Sequence, residues 1–385
     1  MQRPVLRGIV FDMDGTLTVP NLDFKEMYKR CNVDLSEDLI RVVNARPPAQ
    51  KEAAWKAIDM MEEEGRNTLK LMRGTVELAT WLGHHNIRTG LVTRNSSLTL
   101  DHFRSNLWKS AGLPPLDIAF SRCDEVPAKP DPTALNLIAK EWGVDPGPEL
   151  IMIGDSPSND VAFGKAAGAT TVLLDTGRRF VEDGSDGGAD ICVESLFQLP
   201  SLLWQRFEIE GDLGGALKKY PIPTPTTSAT IAAANGDMAT LRSLSVDQLR
   251  TQDETGNTPL IYASDQGNVE AVELLLTAGV DVNVRGYLGA TACCRASRAG
   301  HLGVLKALMK VPEIDCNVPN DKLQYPLHFA AFKIQPKAVE LLLEHGASTI
   351  VLDRKGRTPA EDTKDETIRN TILAARDKHF RQNPE

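Results

Sequence analysis

The sequence predicts two folds in series: an α/β domain built on a parallel sheet, then an all-α repeat solenoid. Three observations predict this. Short, continuously apolar runs alternate with amphipathic stretches through residues 1–200. A Pro/Thr-rich segment, Tyr220–Ser228, interrupts the chain as an extended linker would. Beyond it, one motif recurs at intervals of 33, 34 and 33 residues.

In the first half, Leu6–Asp12, Ile87–Thr93, Leu150–Asp155 and Thr170–Leu174 read as strands, apolar throughout and flanked by turn residues. Continuous apolar runs suit a parallel sheet covered on both faces. Val76–His85, Leu98–Ala111, Pro132–Trp142 and Asn159–Ala167 read as the intervening helices, an α/β alternation. Residues 20–73 break the alternation. Asp23–Cys31, Ser36–Asn44 and Lys51–Met72 read as helices, with Ser36, Asp34 and Asp38 supplying a cap and Pro47-Pro48 ending the second. A helical insertion after the first strand follows. Glu182–Asp190 is a Gly/Asp loop.

The repeat starts at Thr258-Pro259-Leu260, Thr291-Ala292-Cys293, Tyr325-Pro326-Leu327 and Thr358-Pro359-Ala360. Ala263, Ala296 and Ala330 keep the phase, as do Leu274–Leu276, Leu305–Leu308 and Leu341–Leu343. This spacing and wording resemble ankyrin repeats over residues 228–376, with central units 253–285, 286–319 and 320–352 between partial end units. Ile334 replaces the Gly267 and Gly300 of its neighbours and Pro336 follows, so an altered inter-helix turn is expected there. The predicted organisation is a core of 1–19 and 74–210, an insertion of 20–73, a linker of 211–227, repeats over 228–376 and a tail of 377–385.

The net charge of −9 argues against non-specific nucleic-acid binding, which needs a basic footprint. It also requires any anionic substrate to meet a bound cation or local basic residues. The six cysteines, at 31, 123, 192, 293, 294 and 316, show no metal-site spacing and read as reduced thiols. No apolar run reaches the ~18–20 residues of a membrane span. Strand-like sequence begins by residue 6 without a visible signal peptide, so a cytoplasmic protein is expected, with a removed organelle transit peptide as the alternative.

Four motifs fall at strand ends in order. Asp12-Met13-Asp14-Gly15-Thr16 closes the first strand; Thr93 closes the second, followed by Arg94 and Asn95. Lys129 precedes a helix in Ala128-Lys129-Pro130-Asp131-Pro132. Gly154-Asp155-Ser156 ends a third strand, with Asp160 after it. Singly, these are a turn, a strand-end hydroxyl, a surface lysine and a helix-capping loop. Together, at the carboxyl ends of strands where ligands of open α/β sheets bind, they resemble the haloacid dehalogenase superfamily over residues 5–200.

The resemblance implies a Rossmann-like core and phosphoryl transfer. Asp12 would be the nucleophile, forming an aspartyl-phosphate that divides one hard displacement into two. Asp14 would protonate the leaving alcohol and then activate water. Mg²⁺, which prefers oxygen ligands, would be held by the side chains of Asp12 and Asp155 and the carbonyl of Asp14. Ser156 and Asp160 would orient the metal shell. Thr93 and Lys129 would hold the phosphoryl oxygens, with Arg94 and Asn95 beside them in substrate binding. The second Asp separates this chain from the dehalogenases, which lack it, and from the P-type ATPases, which carry Thr there. Phosphatase and phosphomutase remain, and phosphatase is favoured because no basic set of a larger mutase cap is recognised.

The insertion resembles the helical cap of phosphoglycolate phosphatase-like enzymes. Its ~50 residues suggest a small substrate or a fairly open pocket, and the resemblance implies a small phosphorylated metabolite: phosphoglycolate, a sugar or glycerol phosphate, or a nucleotide. Lys25, Lys29, Arg46, Lys51 and Arg66 are candidate anion contacts, each also readable as a solvated helix face. His84-His85 reads as an exposed helix end, His301 and His328 as turn or packing residues, and Cys293-Cys294 as buried thiols. Residues 228–385 carry 18 Lys+Arg against 20 Asp+Glu, a net −2 that suggests neither a nucleic-acid nor a phosphoinositide surface. Ankyrin resemblance implies a protein partner, with packing on the chain's own phosphatase domain, to stabilise or dimerise it, as the other reading. The alternatives are a protein phosphatase targeted by its repeats and a catalytically weak scaffold.

Overall fold

The computed structural model describes residues 3–37, 39–182, 184–209 and 222–382. The expected cap at Asp38, linker residues 211–221 and terminal residues 383–385 lie outside them. The chain divides into two compact units, Met1–Asp212 and Leu213–Glu385.

In the first unit six strands form one parallel sheet: β1 (Gly8–Phe11), β2 (Arg88–Val92), β3 (Ile118–Phe120), β4 (Leu150–Gly154), β5 (Thr170–Leu174) and β6 (Ile191–Val193). Their spatial order is β3-β2-β1-β4-β5-β6. That is a doubly wound sheet whose direction of winding reverses between β1 and β4, so a crevice opens at their carboxyl ends. The four expected strands are present. β3 and β6 were not expected, being three residues long, too short to give a pattern. Both faces of the sheet are covered. Val10, Leu150 and Met152 pack with Leu135, Ile138 and Trp142. Gly8 admits Trp142, since a Cβ there would lie 2.3 Å from the indole.

The insertion after β1 holds three helices, α1 (Phe24–Arg30), α2 (Leu39–Asn44) and α3 (Pro48–Arg66). They share a small core of Met27, Val43, Ile58 and Met61. The expected third helix is shifted: Pro48 opens α3 rather than ending α2, because its missing N–H and fixed φ suit a first helical position. Residues 67–72 are not helical. There the chain returns beside its own departure: Val19 N–H donates to Lys70 O at 3.0 Å, Met72 N–H donates to Leu17 O at 2.8 Å, and Thr18 pairs antiparallel with Leu71. His85 corrects another expectation. It is buried between Trp81 and Trp204, with ring centroids at 4.6 and 5.7 Å, not exposed at a helix end.

The second unit stacks helix pairs: 228–235 with 238–243, 259–266 with 269–277, 292–299 with 302–308, 326–332 with 336–344, and 359–362 with 366–382. Thr227, Thr258, Thr291 and Thr358 cap the first helix of their pairs by accepting from the third helical N–H. The core is continuous from Ala233 through Leu275, Leu305 and Leu342 to Ile372. The last helix runs through Gln382, past the end of the sequence repeat at 376.

The turn at Ile334 is altered in part: the first helix ends at Phe332, one residue earlier than in the two preceding units, and Ile334 N–H donates to Ala331 O at 3.1 Å where Gly267 and Gly300 donate to Ala263 and Ala296. Gln335 N–H donates to Ala330 O at 2.9 Å, as His301 does to Ala296 and Asn268 to Ala263. Ile334 takes the left-handed φ, +54°, that Gly267 and Gly300 take at +77°. His328 is buried and accepts from Tyr325 N–H, and its other ring nitrogen lies 2.8 Å from Arg357 O. His301 lies 3.0 Å from Asp265 O. Both are packing and turn residues, and Cys293 and Cys294 are buried.

Candidate active site

The site grows from the turn after β1. Met13 O accepts from Leu17 and Thr18 N–H, both at 2.9 Å, which wraps the chain sharply. Gly15 adopts φ +75°. A Cβ on it would lie 2.3 Å from Asp155 Oδ2, so only glycine lets the β1 turn meet the end of β4. Asp12 stands at the head of this turn, 8% exposed.

Lys129 Nζ donates to Asp12 and, at 2.7 Å, to Asp160 Oδ1. Both the ammonium and Asp160 are buried. Burial opposes its charge, but Asp12 and Asp160 outweigh burial and hold Lys129 protonated above its usual range. Asp155 is pushed up to about 6, first by burial and then by Asp160, against Lys129 and Arg179. Burial likewise raises Asp12, with Lys129 opposing and Asp160 and Asp14 adding to the rise. One carboxylate oxygen from each of Asp12, Asp155 and Asp160 lies within 4.8 Å of the others. Three carboxylates around one ammonium leave surplus negative charge in a buried place. An all-oxygen donor set of that kind suits a hard divalent cation.

Asp14 turns away from this cluster. Its Oδ2 accepts from Asn95 Nδ2 at 2.5 Å and its Oδ1 from Thr18 Oγ1 at 3.3 Å. Burial raises its pKa, and those two donors hold the rise back. Thr93 is buried just beyond β2, where its hydroxyl accepts from Asn95 N–H at 3.2 Å. Arg94 reaches Asn159 Oδ1 at 3.4 Å. Ser156 caps the turn that follows β4: its Oγ accepts from Asn159 N–H, and its N–H donates to Asp160 Oδ2 at 3.1 Å. Gly154 permits this, since a Cβ there would lie 2.2 Å from the Asp160 side chain.

A cavity of about 400 Å³ joins all nine sequence-predicted residues to the insertion, whose Leu22, Phe24, Met27, Tyr28 and Ile58 line the far side. None of Lys25, Lys29, Arg46, Lys51 and Arg66 lines it. Arg46 instead donates to the carbonyls of Cys31 and Asn32, and Arg66 donates to Thr99. Two residues that line the cavity have no motif to announce them. Arg122, in the loop after β3, pairs with buried Glu62 of α3, donates to Asp59 at 3.0 Å, and lies 4.9 Å from the Trp55 ring centre. Glu62 also accepts from Ser96 Oγ at 2.6 Å. A larger cavity, about 740 Å³, opens at the amino ends of the strands beside Arg7, Arg88 and Glu149, remote from the carboxylates.

The haloacid dehalogenase-like hydrolase family matches residues 6–168, and the ankyrin repeat family matches residues 229–320. A haloacid dehalogenase-like hydrolase domain-containing protein of Arabidopsis thaliana is 37% identical over 221 residues, 53% of this chain and 86% of that protein. The chain belongs to the haloacid dehalogenase-like hydrolases. An uncharacterised hydrolase of Saccharomyces cerevisiae is 31% identical over 172 residues, 44% of this chain and 77% of its own. The ankyrin repeat protein YahD of Escherichia coli is 29% identical over 160 residues, 39% of this chain and 79% of its own. The haloacid dehalogenase-like unit therefore precedes a run of ankyrin repeats. Among the described residues no helix is long and apolar enough to cross a membrane.

Proposed function

We propose that the hydrolase unit is a Mg²⁺-dependent phosphatase that cleaves a small phosphate monoester through an aspartyl-phosphate, and that the ankyrin unit recruits a protein partner. The observation that carries the phosphatase reading is the cluster of Asp12, Asp155 and Asp160 around Lys129 at the carboxyl ends of β1 and β4.

Asp12 and Asp155 would hold the cation, with the Asp14 carbonyl as a further ligand and Ser156 and Asp160 behind them. A bound Mg²⁺ would neutralise a phosphate dianion beside these carboxylates. An Asp12 oxygen attacks phosphorus; the bond to the leaving oxygen breaks, and that oxygen takes the proton of Asp14. Water then attacks the same phosphorus, Asp14 recovers a proton from it, and the bond to Asp12 breaks, releasing phosphate. The raised pKa of Asp14 suits a group that must begin protonated. Lys129 keeps Asp12 in place and offers positive charge to the phosphoryl oxygens. Thr93, Arg94 and Asn95 line the same cavity and would hold the phosphoryl oxygens.

The insertion closes the far side of a cavity of about 400 Å³. That volume favours a metabolite of phosphoglycolate, glycerol phosphate or sugar phosphate size over a folded phosphoprotein. The test is hydrolysis of p-nitrophenyl phosphate and a panel of phosphorylated metabolites. Turnover should require Mg²⁺, stop with EDTA and vanish in Asp12→Asn. A wild-type protein inert toward the whole panel with Mg²⁺ present overturns the reading.

A further inference from the structure

The ankyrin unit is close to electrically neutral in sum, but its charge is not evenly spread. A groove of about 400 Å³ runs across the second and third central units and the final one. Arg295 and Arg298 reach it from helix 292–299, Lys322 and Lys333 from the next unit, and Arg354 and Lys355 from the loop after that. The two acidic residues lining it are already engaged. Arg357 donates to Asp353 Oδ2 at 2.6 Å and lies 2.8 Å from Asp362 Oδ1.

The repeat itself produces this crowding. Lys322 and Lys355 stand at the same register, three residues before the residues that open their first helices, Tyr325 and Thr358. Their loops are tied backbone to backbone, Asp321 N–H to Leu288 O at 3.0 Å and Arg354 N–H to Lys322 O at 3.1 Å. Equivalent positions are therefore stacked side by side. On the helices, Arg295 aligns with Phe329 and Arg298 with Phe332, four and seven residues after the helix-opening residues Thr291 and Tyr325. Burial and then the neighbouring cations Arg354 and Arg298 depress Lys322, and burial, opposed by Asp265 and aided by Arg298, depresses Arg295. Arg295 is 6% exposed, its Nε has no hydrogen-bond partner, and Asp265 lies 4.0 Å from its Nη1. A guanidinium so placed is stabilised by an incoming anion. Beside the cations, Phe332 and Ile334 are 55% and 50% exposed, an apolar lip on the same unit.

We propose that this groove binds an acidic peptide segment of a partner protein, its carboxylates on Arg298, Lys322, Arg354 and Lys355 and an apolar side chain against Phe329 and Phe332. Charge complementarity selects the occupant. The groove is lined by Phe329 and Phe332 beside its cations, which suits alternating acidic and apolar side chains better than the regular charge of a duplex or a flat bilayer.

The test uses the full chain and a fluorescein-labelled twelve-residue peptide of Glu and Asp with a central Leu. Fluorescence anisotropy should report binding that weakens several-fold between 50 and 300 mM salt. Charge reversal in R298E and in R354E should each weaken it at least tenfold, and circular dichroism should show both variants folded as the wild type. A peptide lacking the Leu should bind several-fold more weakly, and a Lys/Arg peptide not at all. No binding of the acidic peptide overturns the proposal. Unchanged affinity in both folded variants does so too, as does tighter binding to duplex DNA or to vesicles containing phosphatidylserine.

Discussion

Gly15 and Asp155 meet so closely that a methyl group on Gly15 would sit 2.3 Å from the Asp155 carboxylate. The turn that presents Asp12 and the strand end that presents Asp155 are thus positioned by one residue without a side chain. Gly15→Ala forces Asp155 aside and places an L side chain at φ +75°. The expected outcome is at least a tenfold higher Mg²⁺ requirement in the phosphatase assay, with stability lower by about 1–2 kcal/mol. A variant with wild-type Mg²⁺ dependence would remove Gly15 from the site's design.

Asn95 tunes the proposed acid. Its amide stabilises the ionised form of Asp14, so Asn95→Ala should raise the Asp14 pKa further. A leaving-group acid works while protonated. The alkaline limb of the rate profile should therefore move up, with kcat reduced. Asp14→Asn should lose about 10²–10⁴ in kcat. An alkaline limb that moves down in Asn95→Ala contradicts the assignment.

Arg122 and Glu62 join the insertion to the core as a buried ion pair. Arg122→Ala leaves Glu62 buried and without its cation, a loss of about 3–5 kcal/mol in urea unfolding. The double variant Glu62→Leu with Arg122→Met should recover most of that loss, because removing both charges also removes their desolvation cost. A double variant that recovers nothing would locate the loss in the Trp55 stack instead.

Ile334 holds a backbone shape that β-branched side chains disfavour. It is 50% exposed, so little burial is lost on removing it. Ile334→Gly should stabilise the ankyrin unit by about 1 kcal/mol, or about 2–4 °C in melting temperature. A lower melting temperature would show that the Ile334 side chain packs more usefully than its exposure indicates.

Asp362 carries a pH signature. Burial, opposed by Arg357, raises its pKa from 3.8 to about 6. Between those values the folded chain holds this proton more tightly than the unfolded chain. Its stabilising contribution is therefore complete below pH 3.8 and disappears as pH rises through 6. The gap amounts to about 3 kcal/mol at most. Asp362→Asn should lack this loss, so wild type minus variant stability should fall from pH 4 to pH 6.5 and then level. A pH-independent difference would refute it.

Much of the hydrolase unit was legible because its signals are local. Asp12, Thr93 and Asp155 end runs whose apolar character marks buried strands, and all three lie where strands β1, β2 and β4 point. Lys129 was legible from motif order alone. Glu62 and Arg122 were not, since one sits in an ordinary run of helix glutamates and the other in a loop sixty residues away. His85 was misread because its burial depends on Trp204, a contact across the fold. At Ile334 the expected change is confined to the helix end, because glycine is only a preference at that position and Ile334 still takes the left-handed φ. The groove cations were hidden in a balanced total: composition adds charges that the repeat sorts into one place.

The insertion departs from the core at Leu17–Val19 and returns at Lys70–Met72, and the two stems are hydrogen-bonded to each other. The fifty residues between them form a closed excursion. The proposed choice of leaving group lies within this excursion, which the two stems tie to the core. The junction is less neutral. Thr18, which pairs with the returning stem, also donates to Asp14. The residue that ties the insertion to the core thus also holds the proposed acid.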